Sequence, residues 1–227
     1  MSEKIDFNKK YWEENIEGFS GFYDTKSEEN IPGNFVLKFC YKNFILPIEK
    51  KYMKQRHASV SDFIDNNVKN KLKIIDIGCG SGVYVKKMVT KGAFVYAYDY
   101  AQSALELTKR NLNSTELINV SLKQSDITLE AIPEVDIAVS IGVLPYISDY
   151  KKYLENILPH TNLVLFNFLD SKNFINRLRK NLLTFLDVRK YSYHSLNEIS
   201  NELTKHNFQL IMVTKLATGF IIEAKRI

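Results

Sequence analysis

The sequence predicts an α/β fold with a mostly parallel sheet that ends in an antiparallel hairpin. Three observations carry this. From about residue 71 onward, short β-branched apolar runs alternate with helix-forming stretches, the pattern of successive βα units. The stretch Lys73–Gly82, KIIDIGCGSG, joins one such run to a helical segment through three alternating glycines. The apolar segments Phe208–Lys215 and Phe220–Lys225 flank Leu216-Ala217-Thr218-Gly219, which reads as a closing hairpin.

The 227 residues suit one α/β domain with an N-terminal addition, long enough to bury a sizeable core. With 45% hydrophobic and 25% charged residues, disorder is not expected. The formal charge of +5 is mild and spread along the chain, so it gives no argument for nucleic acid. Cys40 and Cys79 make no disulfide framework, and a reducing cytoplasm is the simplest setting. The opening MSEKIDFNKK lacks the apolar stretch of a signal peptide. The apolar runs Ile137–Ile147 and Leu163–Leu169 are too short for membrane insertion. No His/Cys/Asp/Glu cluster has metal-ligand spacing, so no metal is expected.

Residues 1–70 read as a helical cover, and residues 71–227 as the core domain. Ile5–Glu17 reads as an amphipathic helix carrying Tyr11 and Trp12, and Gly18–Gly33 as a loop with aromatics between its glycines. Asn34 is placed to cap a helix from Phe35, which Pro47 kinks or ends. A further helix covers Ile48–Asn67. The core then runs strand Leu72–Ile77, helix Val83–Lys91 stopped by Lys91-Gly92, strand Ala93–Tyr98 and helix Ala101–Leu112. Strands follow at Leu117–Leu122, Asp136–Ile141 and Asn162–Leu169, with a helix at Tyr150–Leu158 that Pro159 stops. Asp170–Asp187 reads as one or two basic amphipathic helices, their basic face either solvated or facing an anionic substrate. Ser195-Leu196-Asn197-Glu198 is a capping box, opening a helix that runs to Lys205 and ends at His206-Asn207.

Glycine is needed where a Cβ would block a ligand or where φ must be positive. The glycines fall as G-x-G-x-G, with Val83 where a dinucleotide fingerprint needs its third glycine. No G-x-x-x-x-G-K-[ST] loop is present. Seventeen residues past Gly82, Asp99 ends a second apolar run. D-x-G-x-G-x-G followed by an acidic strand end resembles motif I of the class I S-adenosylmethionine-dependent methyltransferases, small-molecule type. The resemblance runs from about Leu72 to the end of the chain; residues 1–70 match only loosely.

That resemblance implies a Rossmann-like, seven-stranded, mostly parallel sheet under an N-terminal helical cover. It implies S-adenosylmethionine as cofactor and S-adenosylhomocysteine as product. Asp76, Gly78, Cys79, Gly80 and Gly82 would line the methionine end. Asp99, with Tyr100 beside it, would meet the ribose. Gln124-Ser125-Asp126-Ile127 resembles the segment that reads adenine, making Asp126 and Ile127 candidates; a solvated turn residue is the other reading of Asp126. Ile141 and Tyr11 complete the candidate cofactor set. The loop Gly142-Val143-Leu144-Pro145-Tyr146-Ile147 should face the methyl group. It holds no N-P-P-Y or D-P-P-Y motif, which argues against nucleobase and amide nitrogens.

The expected reaction is methyl transfer to a small-molecule acceptor, with an oxygen of a carbohydrate, a surface-polysaccharide precursor or a secondary metabolite favoured. Small-molecule N-methylation, RNA methylation and a non-catalytic cofactor-binding subunit remain the alternatives. A monomer or homodimer is expected. A hydroxyl acceptor must lose a proton, so a base helps. His194, Tyr193 and Tyr191 are the candidates, with Tyr11 and Tyr23 in the cover, from their position alone; a structural hydrogen bond is the other role for His194. His57, His160 and His206 fall on expected outer helices or ends.

Overall fold

A computed structural model describes residues 10–14, 16, 43, 46–178, 180 and 191–227. The expected loop Gly18–Gly33, the helix from Phe35, Tyr23 and Cys40 lie outside these residues. So do the ends of the expected helix Ile5–Glu17 and residues 181–190 of the basic segment. Residues 10–14 and 16 are helical, as are 174–178 and 180.

The first long helix, α1, spans Leu46–Asn67. Pro47 stands at the second position of this helix, and the helix from Phe35 that it is expected to kink or end lies outside the described residues. Strand β1 (Lys73–Ile77) leads through the glycine turn to α2 (Val83–Thr90). Next come β2 (Phe94–Asp99) and α3 (Gln102–Asn111). The short helix α4 (Ser114–Leu117) precedes β3 (Val120–Gln124). Strand β4 (Ile137–Ser140), α5 (Tyr150–Glu155) and β5 (Leu163–Asp170) complete the parallel part. Then follow β6 (Tyr193–His194), α6 (Leu196–Lys205), β7 (Phe208–Lys215) and β8 (Gly219–Arg226).

The sheet order is β3-β2-β1-β4-β5-β8-β7, with β6 also paired to β5. Seven strands form the expected sheet. The two-residue β6 is an addition the sequence reading missed: Leu169 and Asp170 outrun β4 and leave a stretch of strand edge, which Tyr193 and His194 occupy in parallel. Strands β1 to β5 run parallel, and β8 and β7 are antiparallel. The order reverses direction between β1 and β4. In such sheets the crevice at the strands' carboxyl ends is the binding position.

Two apolar layers flank the sheet. On one face Val60, Phe63 and Ile64 of α1 pack with Val85 and Met88 of α2. On the other, Tyr153, Leu154, Ile199, Leu203 and Phe208 pack together. Alternation along β1 serves both layers: Ile74 joins the first and Ile75 the second.

Three boundaries differ from the sequence reading for local reasons. Leu117 belongs to α4, not to a strand, because Asn113 and Glu116 form a reciprocal capping box that nucleates a turn. Helix α5 ends at Glu155, and Pro159 stands in a separate 3-10 turn, Leu158–His160. Asp136 stays outside β4 and instead its carboxylate accepts from the Lys73 N–H at 2.8 Å, pinning the start of β1. The capping box at Ser195 and the end of α6 match the reading, with Asn207 in the left-handed region at φ 61°.

Candidate active site

The site starts at the end of β1. Gly78, Gly80 and Gly82 all have positive φ, at 73°, 56° and 75°. Two of them are also fixed by contacts. A Cβ on Gly78 would lie 2.2 Å from Val143 Cγ2, and one on Gly82 would lie 2.8 Å from Thr108 Cγ2. Gly80 differs: its nearest neighbours, Ile16 Cδ1 and Gly78 O, stand at 3.8 and 3.9 Å. Among the described residues a Cβ on Gly80 would thus meet only ordinary van der Waals contacts, so it is the positive φ that calls for glycine there.

Asp99 holds this turn from the end of β2. One carboxylate oxygen accepts from the Gly80 N–H and the other from the Ala101 N–H, each at 3.0 Å. Gly78 and Cys79 both donate to the Tyr98 carbonyl. Burial raises the Asp99 carboxyl to about 6 despite these N–H bonds and the one from Tyr100. Asp76 is more isolated. It is 2% exposed, and its Oδ2 has no hydrogen-bond partner among the described residues. Burial, reinforced by the Asp99 charge, pushes its carboxyl up to about 7. A buried acceptor without a donor is costly, so this position is suited to a cationic ligand group.

Cys79 is a buried free thiol, held well above its ordinary pKa by burial and by the Asp99 and Asp76 charges. Its expected place beside the cofactor comes down to its backbone; the side chain packs in the core against Thr108. Tyr100 gives its carbonyl to Gln124 Nε2 at 3.0 Å, closing β2 onto β3. Asp126 accepts from both the N–H and hydroxyl of Thr128, so one carboxylate oxygen serves its own turn. Ile127 is buried in the core, and its carbonyl accepts from Asn156 Nδ2 at 2.6 Å.

The N-terminal helical residues lie across the glycine turn. Glu13 takes the Ser103 N–H on its carboxylate and the Ser103 hydroxyl on its carbonyl. That caps α3, whose own cap residue Ala101 offers no side-chain bond. Ile16 packs on Ala101, Ala104 and Leu107. Trp12 contacts Tyr11 at 5.5 Å between ring centroids and Tyr146 at 5.4 Å. The chain of rings continues from Tyr146 to Tyr191 and on to Tyr193.

Of the candidate bases, Tyr11, Tyr191 and Tyr193 thus join the aromatic strip beside the loop after β4. His194 turns the other way: its ring lies 4.4 Å from that of Tyr150, and its Nε2 has no partner among the described residues. Burial lowers its pKa, opposed by Glu198, so the imidazole stays neutral at physiological pH. His57 is half-buried on α1. It stacks on Tyr84 of α2 at 5.8 Å.

Sequence reasoning missed Asn167, Tyr52 and Arg56. Asn167 is fully buried in β5, where its Oδ1 accepts from the Gly142 N–H at 2.6 Å and its Nδ2 donates to Tyr52 Oη at 2.7 Å. The Arg56 guanidinium lies over the Tyr52 ring and 3.2 Å from where a Gly142 Cβ would stand. The only signal was an asparagine inside the apolar run LVLFNFLD. No helix among the described residues is long and apolar enough to cross a membrane. Those residues also contain no His/Cys/Asp/Glu group placed to hold a metal ion.

Residues 68–184 match the family described as "Methyltransferase domain", just over half the chain. The mitochondrial ubiquinone biosynthesis O-methyltransferase of Schizosaccharomyces pombe is 26% identical over 161 residues, covering 64% of this chain and 58% of that one. The ubiquinone biosynthesis O-methyltransferase of Rickettsia canadensis is 25% identical over 163 residues, covering 71% and 64%. The chain therefore spans about three fifths of the length of these curated relatives. Among solved structures, magnesium protoporphyrin IX methyltransferase from Synechocystis PCC 6803, with bound S-adenosylhomocysteine, superposes with a TM-score of 0.70 at 17% identity. That match covers 97% of this chain and 98% of the other, and shows a shared fold. With the glycine turn, the acid ending β2 and the sheet order in place, the family match has its physical counterpart: this chain belongs to the class I S-adenosylmethionine-dependent methyltransferase family.

Proposed function

We propose that the chain transfers a methyl group from S-adenosylmethionine to an oxygen of a small organic acceptor. One observation carries the reading. A turn of three positive-φ glycines lies between a buried carboxylate (Asp76), whose Oδ2 has no hydrogen-bond partner among the described residues, and a second carboxylate (Asp99) that accepts from the turn's Gly80 N–H. In this reading Asp76 faces the ammonium of the cofactor's amino-acid end, and Asp99 keeps lone pairs for the ribose hydroxyls. Tyr100, Asp126 and Ile127 lie along the adenine end, and Tyr11 and Ile141 border the methionine end.

The cofactor supplies an electrophilic methyl on a sulfonium sulfur. The protein's part is to fix positions and exclude water. The packing of Ile16 and Trp12 on Ala101, Ala104 and Leu107, and the ring contacts of Tyr146 with Trp12 and Tyr191, support a cover over the crevice in this reading. An oxygen acceptor is supported by the relatives' names as O-methyltransferases. The sugar, surface-polysaccharide precursor or secondary metabolite expected from the sequence is a finer proposal within that class, and the named relatives speak for no sugar in particular. Tyr191, Tyr193 and His194 are the bases to test. A reducing cytoplasmic setting suits the free thiol of Cys79.

Calorimetric titration with S-adenosylhomocysteine, on wild type and Asp99→Ala, tests the reading. Binding by the wild type that is lost in the variant supports it, and a screen of hydroxylated acceptors follows. A wild type that does not bind overturns it.

A further inference from the structure

The Asn167 carboxamide is used at both ends, and the two ends reach different parts of the molecule. Its oxygen holds the N–H of Gly142, the residue at φ 83° just past β4. Its nitrogen holds the hydroxyl of Tyr52, in the first half of α1 and 115 positions away in sequence. Arg56, one turn further along α1, lies over the Tyr52 ring and 3.2 Å from where a Gly142 Cβ would stand. Strand, loop and helix therefore meet at one buried amide.

The peptide geometry gives this contact a direction. No cis peptide occurs among the described residues, so the Ile141 carbonyl points opposite to the Gly142 N–H. With that N–H drawn toward β5, the carbonyl turns away from β5, and β1 flanks β4 on that other side. The glycine turn and Asp76 lie at the end of β1.

We propose that Asn167 is a positioning residue: it orients the Ile141–Gly142 peptide toward the cofactor and latches α1 to that peptide through Tyr52, so that helix and loop close as one unit. This rests on the cofactor reading above.

Tyr52→Phe removes one hydroxyl and keeps the ring, so it tests the latch with little risk to folding. In hydrogen exchange of the ligand-free variant, residues 46–58 and 142–147 should both exchange faster. S-adenosylhomocysteine affinity should fall about five-fold, the effect of one neutral hydrogen bond. Asn167→Leu should loosen the same two segments and weaken binding further. Faster exchange confined to residues 46–58, or wild-type affinity in Tyr52→Phe, would overturn the proposal. A wild type that binds no S-adenosylhomocysteine sinks the cofactor reading instead, and the exchange of the ligand-free protein still reports whether helix and loop are coupled.

Discussion

Asp76 should make cofactor binding depend on pH within the physiological range. Its folded-state pKa is raised from 3.8 to about 7, chiefly by burial. In the ligand-free protein the group therefore holds its proton well above the ordinary carboxylate range. As pH rises from about 4 to 7, an unfolded chain would ionise Asp76 freely while the folded one resists. Stability from this group is thus full at low pH and is lost as pH approaches the folded value. A cationic ligand reverses the preference, because it binds the ionised form.

If only ionised Asp76 binds the ammonium, affinity scales with its ionised fraction. Between pH 8 and pH 6 that fraction drops about ten-fold for a pKa of about 7. Asp99, at about 6, adds roughly a further factor of two at pH 6. Near pH 7, binding should release about half a proton from Asp76. Titration calorimetry with S-adenosylhomocysteine, run in buffers of different ionisation enthalpy, reads affinity and proton release together. Asp76→Asn should weaken binding at pH 8 about ten- to a hundred-fold, as for loss of a charge-assisted hydrogen bond, and should flatten the dependence above pH 7. A wild type with constant affinity from pH 6 to 8 and no buffer-dependent enthalpy would refute the reasoning. So would a slope above pH 7 that survives in Asp76→Asn.

Other outcomes follow from single contacts. Gly78→Ala combines a positive φ with a Cβ 2.2 Å from Val143; it should cost about 1–2 kcal/mol from backbone conformation alone, and S-adenosylhomocysteine titration should show weakened binding because the turn must shift. Glu13→Ala removes the carboxylate that caps α3; it should cost about 1 kcal/mol of stability, read as a modest drop in melting temperature, and also weaken ligand binding, since the same residues cover the turn. Ser195→Ala breaks the capping box of α6; it should cost about 1 kcal/mol in denaturant titration and leave S-adenosylhomocysteine affinity unchanged.

What could be read beforehand was what local chemistry decides. The glycine turn, Asp99 at its strand end and the Ser195 box each rest on residues close in sequence, and their types state the backbone they need. Leu117 was misread because its apolar neighbours suit a strand, while the deciding cap came from Asn113 and Glu116. Strand β6 escaped notice because it is two residues long and exists only where β5 outruns β4. Asn167 and Tyr52 were hidden for a different reason. Their bond spans 115 positions, and an asparagine in a strand carries no mark of the partner that will satisfy it. The unpartnered oxygen of Asp76 is likewise a property of its surroundings, which no spacing records.

The closing hairpin has a consequence for how the chain is made. β5, LVLFNFLD, is almost wholly buried, and its second edge is covered by β8 along Leu163–Leu169. On the ribosome that edge waits until residues 219–226 emerge, some fifty positions later. Until then it is an open apolar strand, the kind of surface on which nascent chains pair wrongly. Chaperone demand should therefore concentrate in that interval of synthesis, and a chain cut short before residue 208 should be recognised and degraded, not stored. The finished molecule moves the exposed edge outward to β7, where the irregular pairing between Leu210 and Met212 interrupts it. Formation of the β7–β8 hairpin thus closes the strand edge that β5 would otherwise leave open.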